Sequence, residues 1–505
     1  MNDTSKKVIK RDSIKKSSIF NIAIKLFTYL IPLILSPYLY RTLSFEGMGT
    51  YEFQYAYVSY FILIASFGFD SYGTKKISAS TNNVVDMSKQ FWNILNAKIF
   101  LGISCLILYF ALVFSGVFGD KQYYPSYSIL SIFIVSTMLD ISFFYQGIEK
   151  FKGVALRTLI VKLLNLIFIF VFVKSENDYI KYIVIMSCSY LIASLVMFLP
   201  LRKYIYKPTF DKKLIIADLK GSSLFFISAL AISLYTTMQK TVLGLLTNEL
   251  EVGYFSSAMK IKDVVTAFAY AIITVYLSRI SFLIAVRNKE EALSKTYTCF
   301  NVVYDLTIPA TFGLICISNV FMPLYFGNGG SNAILMVILI AISIPFISTS
   351  AIITNVYLVP NNKQNKANIV YLSAAVFNFI ITYILVITFK GNGAALAATI
   401  TEIFVAIFCI HYSKKFINYK KVLNDLSKPL LASIIMALFY FTLNSVLTKF
   451  ISANKAMIIL IFLSMILYVA LMILFKDKIV YSFYKKIKTD ISNFFNKLKI
   501  KKKSN

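Results

Sequence analysis

Apolar segments of about twenty residues follow one another from Ser18 to Phe475, and the loops between them alternate in charge. One set of loops is basic. It comprises the N-terminus (Lys6, Lys7, Lys10, Arg11, Lys15, Lys16), the loop with Lys75, Lys76 and Lys89, then Arg202 to Lys220, Arg279 to Lys295, Lys414 to Lys428, and the tail beyond Lys476. The intervening loops are short and nearly neutral. Inside hydrocarbon only a helix satisfies its own backbone, so such a chain is confined to an all-α polytopic fold. Cytoplasmic loops collect Lys and Arg, so both termini are expected on the cytoplasmic side of the cell membrane and the number of spans is expected to be even.

Composition agrees. The chain is 58% hydrophobic with a mean hydropathy of +0.71 over 505 residues, more apolar surface than a soluble core of this size could hide. Its net charge of +29 follows the loop pattern, so no nucleic-acid partner is inferred from it. The basic start running into a full-length apolar segment is read as a retained first span rather than a cleaved leader. All five cysteines (Cys105, Cys188, Cys299, Cys316, Cys409) fall in apolar segments with spacing for neither a metal nor a disulfide framework. No cofactor is expected.

Windows of about 19 residues give about 14 spans, centred near Tyr29, Ile62, Ile103, Val135, Leu163, Leu191, Ile232, Ala267, Pro309, Ala341, Phe379, Phe404, Ala437 and Phe462. An internal repeat organises them. The turn Y-Q-G-I-E-K-F-K from Tyr145 leads to Asn165, and Y-L-V-P-N-N-K-Q-N-K from Tyr357 leads to Asn378. Arg202-Lys203-Tyr204-Ile205 likewise answers Lys414-Lys415-Phe416-Ile417, with the same offset of about 212 residues. A third trace sets Glu46-Gly47-Met48-Gly49-Thr50-Tyr51 against Glu251-Val252-Gly253-Tyr254. Six spans per copy keep both copies in one orientation, the parallel arrangement of many transporters. The expected division is an N-terminal lobe over 1–210, a C-terminal lobe over 211–425, two further helices over 426–476, and a basic amphipathic tail over 477–505. In that tail Val480, Phe483, Ile487, Ile491, Phe494 and Leu498 would face membrane lipid.

Charges inside apolar segments carry the chemistry. Asp70, Lys98, Asp140 and Arg157 sit near span ends, where long side chains can reach the interface, and are read as structural. Lys162, Lys260, Lys262, Asp263, Asp305 and Glu402 are deeper; Lys25 and Lys240 are intermediate. A charge at mid-bilayer costs about 2.5–3.5 kcal/mol on insertion scales, so each needs water or a partner. Lys260 and Asp263, three apart on one helix, could pair with each other. Several lysines in one wet cavity favour a diffuse anion such as a phosphate or pyrophosphate. An enzyme is not expected: there is no Walker loop, zinc spacing or nucleophile elbow, and the single histidine, His411, sits at a span end beside Lys414 and Lys415. The run Gly391–Ala398 reads as small residues for close helix packing.

Motifs in fixed order add a resemblance. They are S-P-Y-L-Y-R-T-L (Ser36–Leu43), E-G-M-G-T-Y, F-G-F-D-S-Y-G (Phe67–Gly73), and V-L-G-L-L-T-N-E-L-E-V-G-Y-F-S-S-A-M-K-I (Val242–Ile261). S-R-I-S (Ser278–Ser281), P-L-Y-F-G (Pro323–Gly327), Y-L-V-P and G-A-A-L-A-A-T-I-T-E (Gly393–Glu402) follow. In this order the chain resembles the Wzx-type oligosaccharide-repeat-unit flippases, the polysaccharide biosynthesis proteins of the multidrug/oligosaccharidyl-lipid/polysaccharide superfamily. The resemblance implies two lobes around a central cavity open to one side at a time. The implied cargo is an oligosaccharide on undecaprenyl pyrophosphate, moved outward for capsule or exopolysaccharide assembly. Glycosyltransferases and a glycan polymerase would be its partners. Lys25, Lys162, Lys240, Lys260 and Lys262 are then expected at the cargo phosphates and Arg41 at the sugar or the exit mouth. Asp263, Asp305 and Glu402 are expected in charge pairing or ion coupling. Two departures stand out: Gln239 replaces the acid that many relatives carry before the lysine of the seventh span, and Ser278 replaces a proline. The alternatives are a peptidoglycan-precursor flippase, a multidrug/cation antiporter, or a membrane glycan polymerase. The short outer loops speak against the polymerase.

Overall fold

The computed structural model describes residues 31–206, 210–486 and 488–489, and among these there is no β-strand. Lys25, the span centre at Tyr29, and the tail residues Ile487, Ile491, Phe494 and Leu498 lie outside the described residues. Each remaining span centre, from Ile62 to Phe462, falls within an α-helix. Nine described helices are long and apolar enough to cross a membrane, or up to ten if the bent pair Lys212–Ile227 and Ala229–Leu246 is one span. The chain is therefore a multi-pass membrane protein, though fourteen spans are not reached by that measure. Part of the difference lies at Lys390, whose left-handed backbone (φ 48°, ψ −129°) breaks the long α13 (Gln364–Ser413) between the expected centres Phe379 and Phe404.

The chain divides into two compact units. The first holds the described residues up to Lys260 together with Tyr371–Ala397. It begins with α1 (31–42), α2 (Ser44–Ser66), the short α3 (Phe69–Ser80) and α4 (Val84–Phe114). Next come α5 (Tyr124–Leu139), α6 (Ser142–Gly147), α7 (Phe151–Phe172), α8 (Tyr179–Val196), α9 (Lys212–Leu246) and the first turns of α10 (Glu249–Ala285). Asn83 starts α4 by accepting from the N–H groups of Val85 and Asp86, and Asp211 starts α9 the same way through Lys213 and Leu214. Between α2 and α3 the chain turns through two left-handed residues, Phe67 (φ 38°) and Gly68 (φ 73°). A Cβ on Gly68 would lie 2.6 Å from the Phe226 nitrogen, so glycine is required there twice over.

Aromatic side chains from α3, α4 and α6 (Phe69, Phe91, Phe143, Phe144) form one end of this unit's core. Three cationic side chains there find partners in the protein. Lys76 pairs with Asp218 of α9, which also accepts from the Tyr72 hydroxyl at 2.7 Å. Lys98 does not snorkel as the sequence suggested. It is wholly buried, donating to the Asp140 carbonyl at 2.8 Å and to the Asp70 carboxylate at 3.3 Å, with its ammonium 5.5 Å from the Phe143 ring centre. Arg157 donates to the Ala193 carbonyl at 2.6 Å. Lys98 thus ties the α5–α6 break to α4. Replacing it with Met should lower stability by about 2 kcal/mol, less than for a fully buried pair because Asp70 keeps contact with solvent. Thermal melting of the purified protein reads this, and transport per folded molecule should stay near wild type.

The second unit comprises Ile261–Val370 and the described residues from Ala398 onward. Its long α11 (Lys289–Phe326) carries Pro309 and Pro323 and packs on α12 (Ile334–Ile352), α14 (Tyr419–Leu447) and α15 (Ala453–Leu474). One wide π turn, Ile353–Leu358, follows α12. Between α11, α14 and α15 lie two small apolar clusters, one around Met436, Tyr468 and Met472 and the other around Cys316, Tyr440 and Leu460. Outward faces are apolar as well: Phe462 and Ile466 of α15 are 64% and 66% exposed, as a lipid-facing surface requires.

Candidate functional site

The first unit holds an open-sided cavity of about 190 Å³ among α1, α2, α7, α8 and α10. Its lining mixes apolar residues of α1 with an unusual polar set: Glu52, Lys162, Asn165 and Lys260, beside Tyr51 and Tyr182. Glu52 is the organising residue. It sits more than two turns inside α2 and is only 7% exposed. One carboxylate oxygen accepts from the Lys240 ammonium of α9 at 2.6 Å, and the other takes that of Lys260 of α10 at 3.0 Å. The Lys260 ammonium also lies 5.0 Å from the Tyr40 ring centre. Two like charges are thus held near each other by a shared acid, which removes the repulsion that would otherwise make their joint burial unfavourable.

Lys162 enters from α7, and Asn165, one turn further, accepts from the Ser189 hydroxyl of α8 at 2.7 Å. On the neighbouring turn of α2, Gln54 accepts from the Tyr179 hydroxyl at 2.8 Å. Tyr51 packs edge-on to Tyr182 at 4.9 Å and stacks on Tyr55 at 5.7 Å. The result is a small chamber with aromatic walls and more ammonium groups than carboxylates. Such a chamber can hold an anion with several oxygens.

Helix packing sets these distances. A Cβ on Gly49 would fall 1.7 Å from the Glu249 carbonyl oxygen, and one on Gly253 would fall 2.0 Å from that of Phe45. These are the glycines that the third repeat trace aligns, and here they meet each other. Glu52 lies one turn along α2 from Gly49, and Lys260 two turns along α10 from Gly253, so the close approach brings the acid within reach of the lysine. Beyond the Lys390 break, the first free N–H, that of Gly391, donates to Glu251 at 3.1 Å. Glu251 thereby serves a helix start.

The structure brings together Lys162, Lys240 and Lys260 from the sequence-derived set. Lys260 does not pair with Asp263. Its partner is Glu52, and Asp263 is taken by Lys262 at 3.0 Å. Lys262 is two residues, about 200°, around α10 from Lys260 and belongs with Asp263 to the second unit. In that unit the Asp305 carbonyl accepts from the Tyr468 hydroxyl at 3.0 Å, and Glu402 is half-buried on the segment Gln364–Ser413. Arg41 is exposed at the end of α1. Glu52 was missed because it follows the turn-like E-G-M-G-T-Y and reads as a span margin. The available signal was its place between Tyr51 and Phe53 in an aromatic run that is helical from Ser44. Gln239 is buried next to Lys240 in the chain, and the carboxylate for that lysine comes from α2.

Known proteins place this arrangement. A family model described as "Polysaccharide biosynthesis protein" matches residues 14–284. The chain is 25% identical over 403 residues to a protein of Escherichia coli K12 named "Putative O-antigen transporter", covering 78% of this chain and 95% of that one. It is 23% identical over 248 residues to the "Probable low-salt glycan biosynthesis flippase Agl15" of Haloferax volcanii, covering 48% of this chain and 51% of the relative. Among solved structures, "Lipid II flippase MurJ, inward closed conformation" superposes with a TM-score of 0.72 at 19% identity, covering 92% of this chain and 99% of that one. The fold is shared with that flippase, and the family match spans just over half the sequence: the chain belongs to the polysaccharide biosynthesis protein family.

Proposed function

We propose that this protein moves an oligosaccharide linked to undecaprenyl pyrophosphate from the inner to the outer leaflet of the cell membrane, supplying capsule or exopolysaccharide assembly. The observation that carries the reading is a cavity lined by Lys162 and Lys260, with Lys240 reaching the same Glu52 carboxylate, inside a bundle whose outer faces are apolar. Ammonium groups held there by a single acid suit a diphosphate, and tyrosine faces beside them suit a sugar ring. The names of the relatives, a putative O-antigen transporter and a probable glycan flippase, point the same way. In this reading Lys25, Lys262 and Arg41 join the cargo path. Asp263, Asp305 and Glu402 balance charge or couple an ion. Lobes over 1–210 and 211–425 rock around the site, with both termini cytoplasmic and the basic tail on the anionic inner leaflet. Glycosyltransferases load the cargo and a glycan polymerase receives it.

A multidrug/cation antiporter would need the cavity acid free for a cation. Glu52 is instead held by two ammonium groups, which disfavours that reading. A peptidoglycan precursor also carries a diphosphate and would suit the same lysines; loss of growth on deletion separates the two. Deleting the gene should leave cells viable, remove surface glycan, and pile up lipid-linked glycan on the inner leaflet. Unchanged surface glycan in the deletion strain would refute the assignment.

A further inference from the structure

We infer that Glu52 is a built-in stand-in for the cargo's diphosphate, occupying its seat between Lys240 and Lys260 until the cargo displaces it. This deepens the proposed function and rests on it. Glu52 gives one oxygen to each ammonium, and the ammonium groups come from different helices, α9 and α10. Two non-bridging oxygens of a phosphate are spaced much like the two oxygens of a carboxylate, so a phosphate can take over both contacts in the same geometry. Lys162 lines the same cavity, and among the described residues no carboxylate is paired with it. It offers the first contact for an arriving anion while the other two lysines are still closed by Glu52.

Charge matching supports the exchange. Lys162 and Lys260 line the cavity and Lys240 reaches the lining Glu52 from α9, so three ammonium groups stand against one carboxylate and leave two positive charges, the complement of a diphosphate diester's two negative charges. A cavity without the acid would hold its cargo more tightly and give it up more slowly. A carrier needs binding strong enough to load and weak enough to release, and an internal competitor lowers affinity without removing any contact made in the loaded state. Because Glu52 lies on α2 while its lysines lie on α9 and α10, its release also removes one tie of α2 to each of those helices.

The test uses the full-length protein in lipid nanodiscs, with undecaprenyl diphosphate in the bilayer as one probe and inorganic pyrophosphate in solution as the other. Wild type, Glu52→Gln and Glu52→Asp are compared for binding and for export in cells. Displacement predicts that E52Q binds undecaprenyl diphosphate about tenfold more tightly than wild type yet exports more slowly. E52D, whose shorter side chain reaches one lysine only, should bind about threefold more tightly. E52D keeps the charge, so it decides the matter alone if E52Q fails to fold. Equal or weaker binding by both variants, with wild type still binding the probe, overturns the stand-in role and leaves the flippase reading intact. Absence of lipid diphosphate binding in all three proteins overturns both. Tightening for inorganic pyrophosphate alone marks a free-anion site and likewise removes the lipid cargo.

Discussion

Lys260→Glu should abolish glycan export, by about a hundredfold or more, while protein still accumulates in the membrane. In the wild-type protein the Lys260 ammonium is 3.0 Å from the Glu52 carboxylate, which is also bound by Lys240. Reversing the charge at 260 puts a second carboxylate against Glu52 and leaves Lys240 and Lys162 to balance both. At about 4 Å and an effective dielectric near 20, each unit-charge contact is worth roughly 4 kcal/mol before desolvation. The substitution converts one such attraction into repulsion and brings the cavity from a positive surplus to neutrality. A diphosphate then gains nothing electrostatically by entering. The rest of the bundle does not depend on this contact: the packing around Phe69, Phe91 and Phe143, and the Lys98 and Lys76 attachments, lie elsewhere in the unit. Membrane levels should therefore hold. Surface glycan measured against the amount of membrane-inserted protein reads the loss. Wild-type export by K260E would remove Lys260 from the cargo path.

The sequence exposed the helices because hydrocarbon imposes a period and a length that no local detail can disguise. The deep lysines were visible for a related reason: charge in an apolar run must be compensated. What sequence could not supply was the partner. Lys260 has Asp263 at helix spacing, yet the nearer solution in three dimensions is Glu52, more than two hundred positions earlier in the chain. Lys98 looked like a residue reaching for the interface. The break between α5 and α6 instead offers it a carbonyl inside the fold. The Lys390 break, by contrast, falls between the expected span centres Phe379 and Phe404, where a lysine and the run Gly391-Asn392-Gly393 interrupt the apolar sequence. Pairings are decided by which helices lie side by side. In the first unit that is governed by residues with no side chain at all.

Gly49→Ala should cost about 3 kcal/mol or more and take export with it. A methyl at 49 would stand 1.7 Å from the Glu249 carbonyl oxygen, 2.7 Å from its carbon and 2.8 Å from the Gly253 nitrogen. All of these are backbone atoms, so no side chain can rotate away, and α2 must move off α10 as a whole. Glu52 moves with α2, and the contact with Lys260 opens. Gly253→Ala meets the Phe45 carbonyl oxygen at 2.0 Å and should act alike. Gly153→Ala in α7 and Gly313→Ala in α11 are the controls, because a Cβ at either meets nothing within 4 Å. In a helix interior alanine is favoured over glycine by about 1 kcal/mol, so these two should melt at or above the wild-type temperature. Melting curves and export for the four variants separate crowding from the mere loss of a glycine. If G49A and G253A behaved like G153A, the two helices would have room between them, and the reach of Glu52 to Lys260 would need another cause.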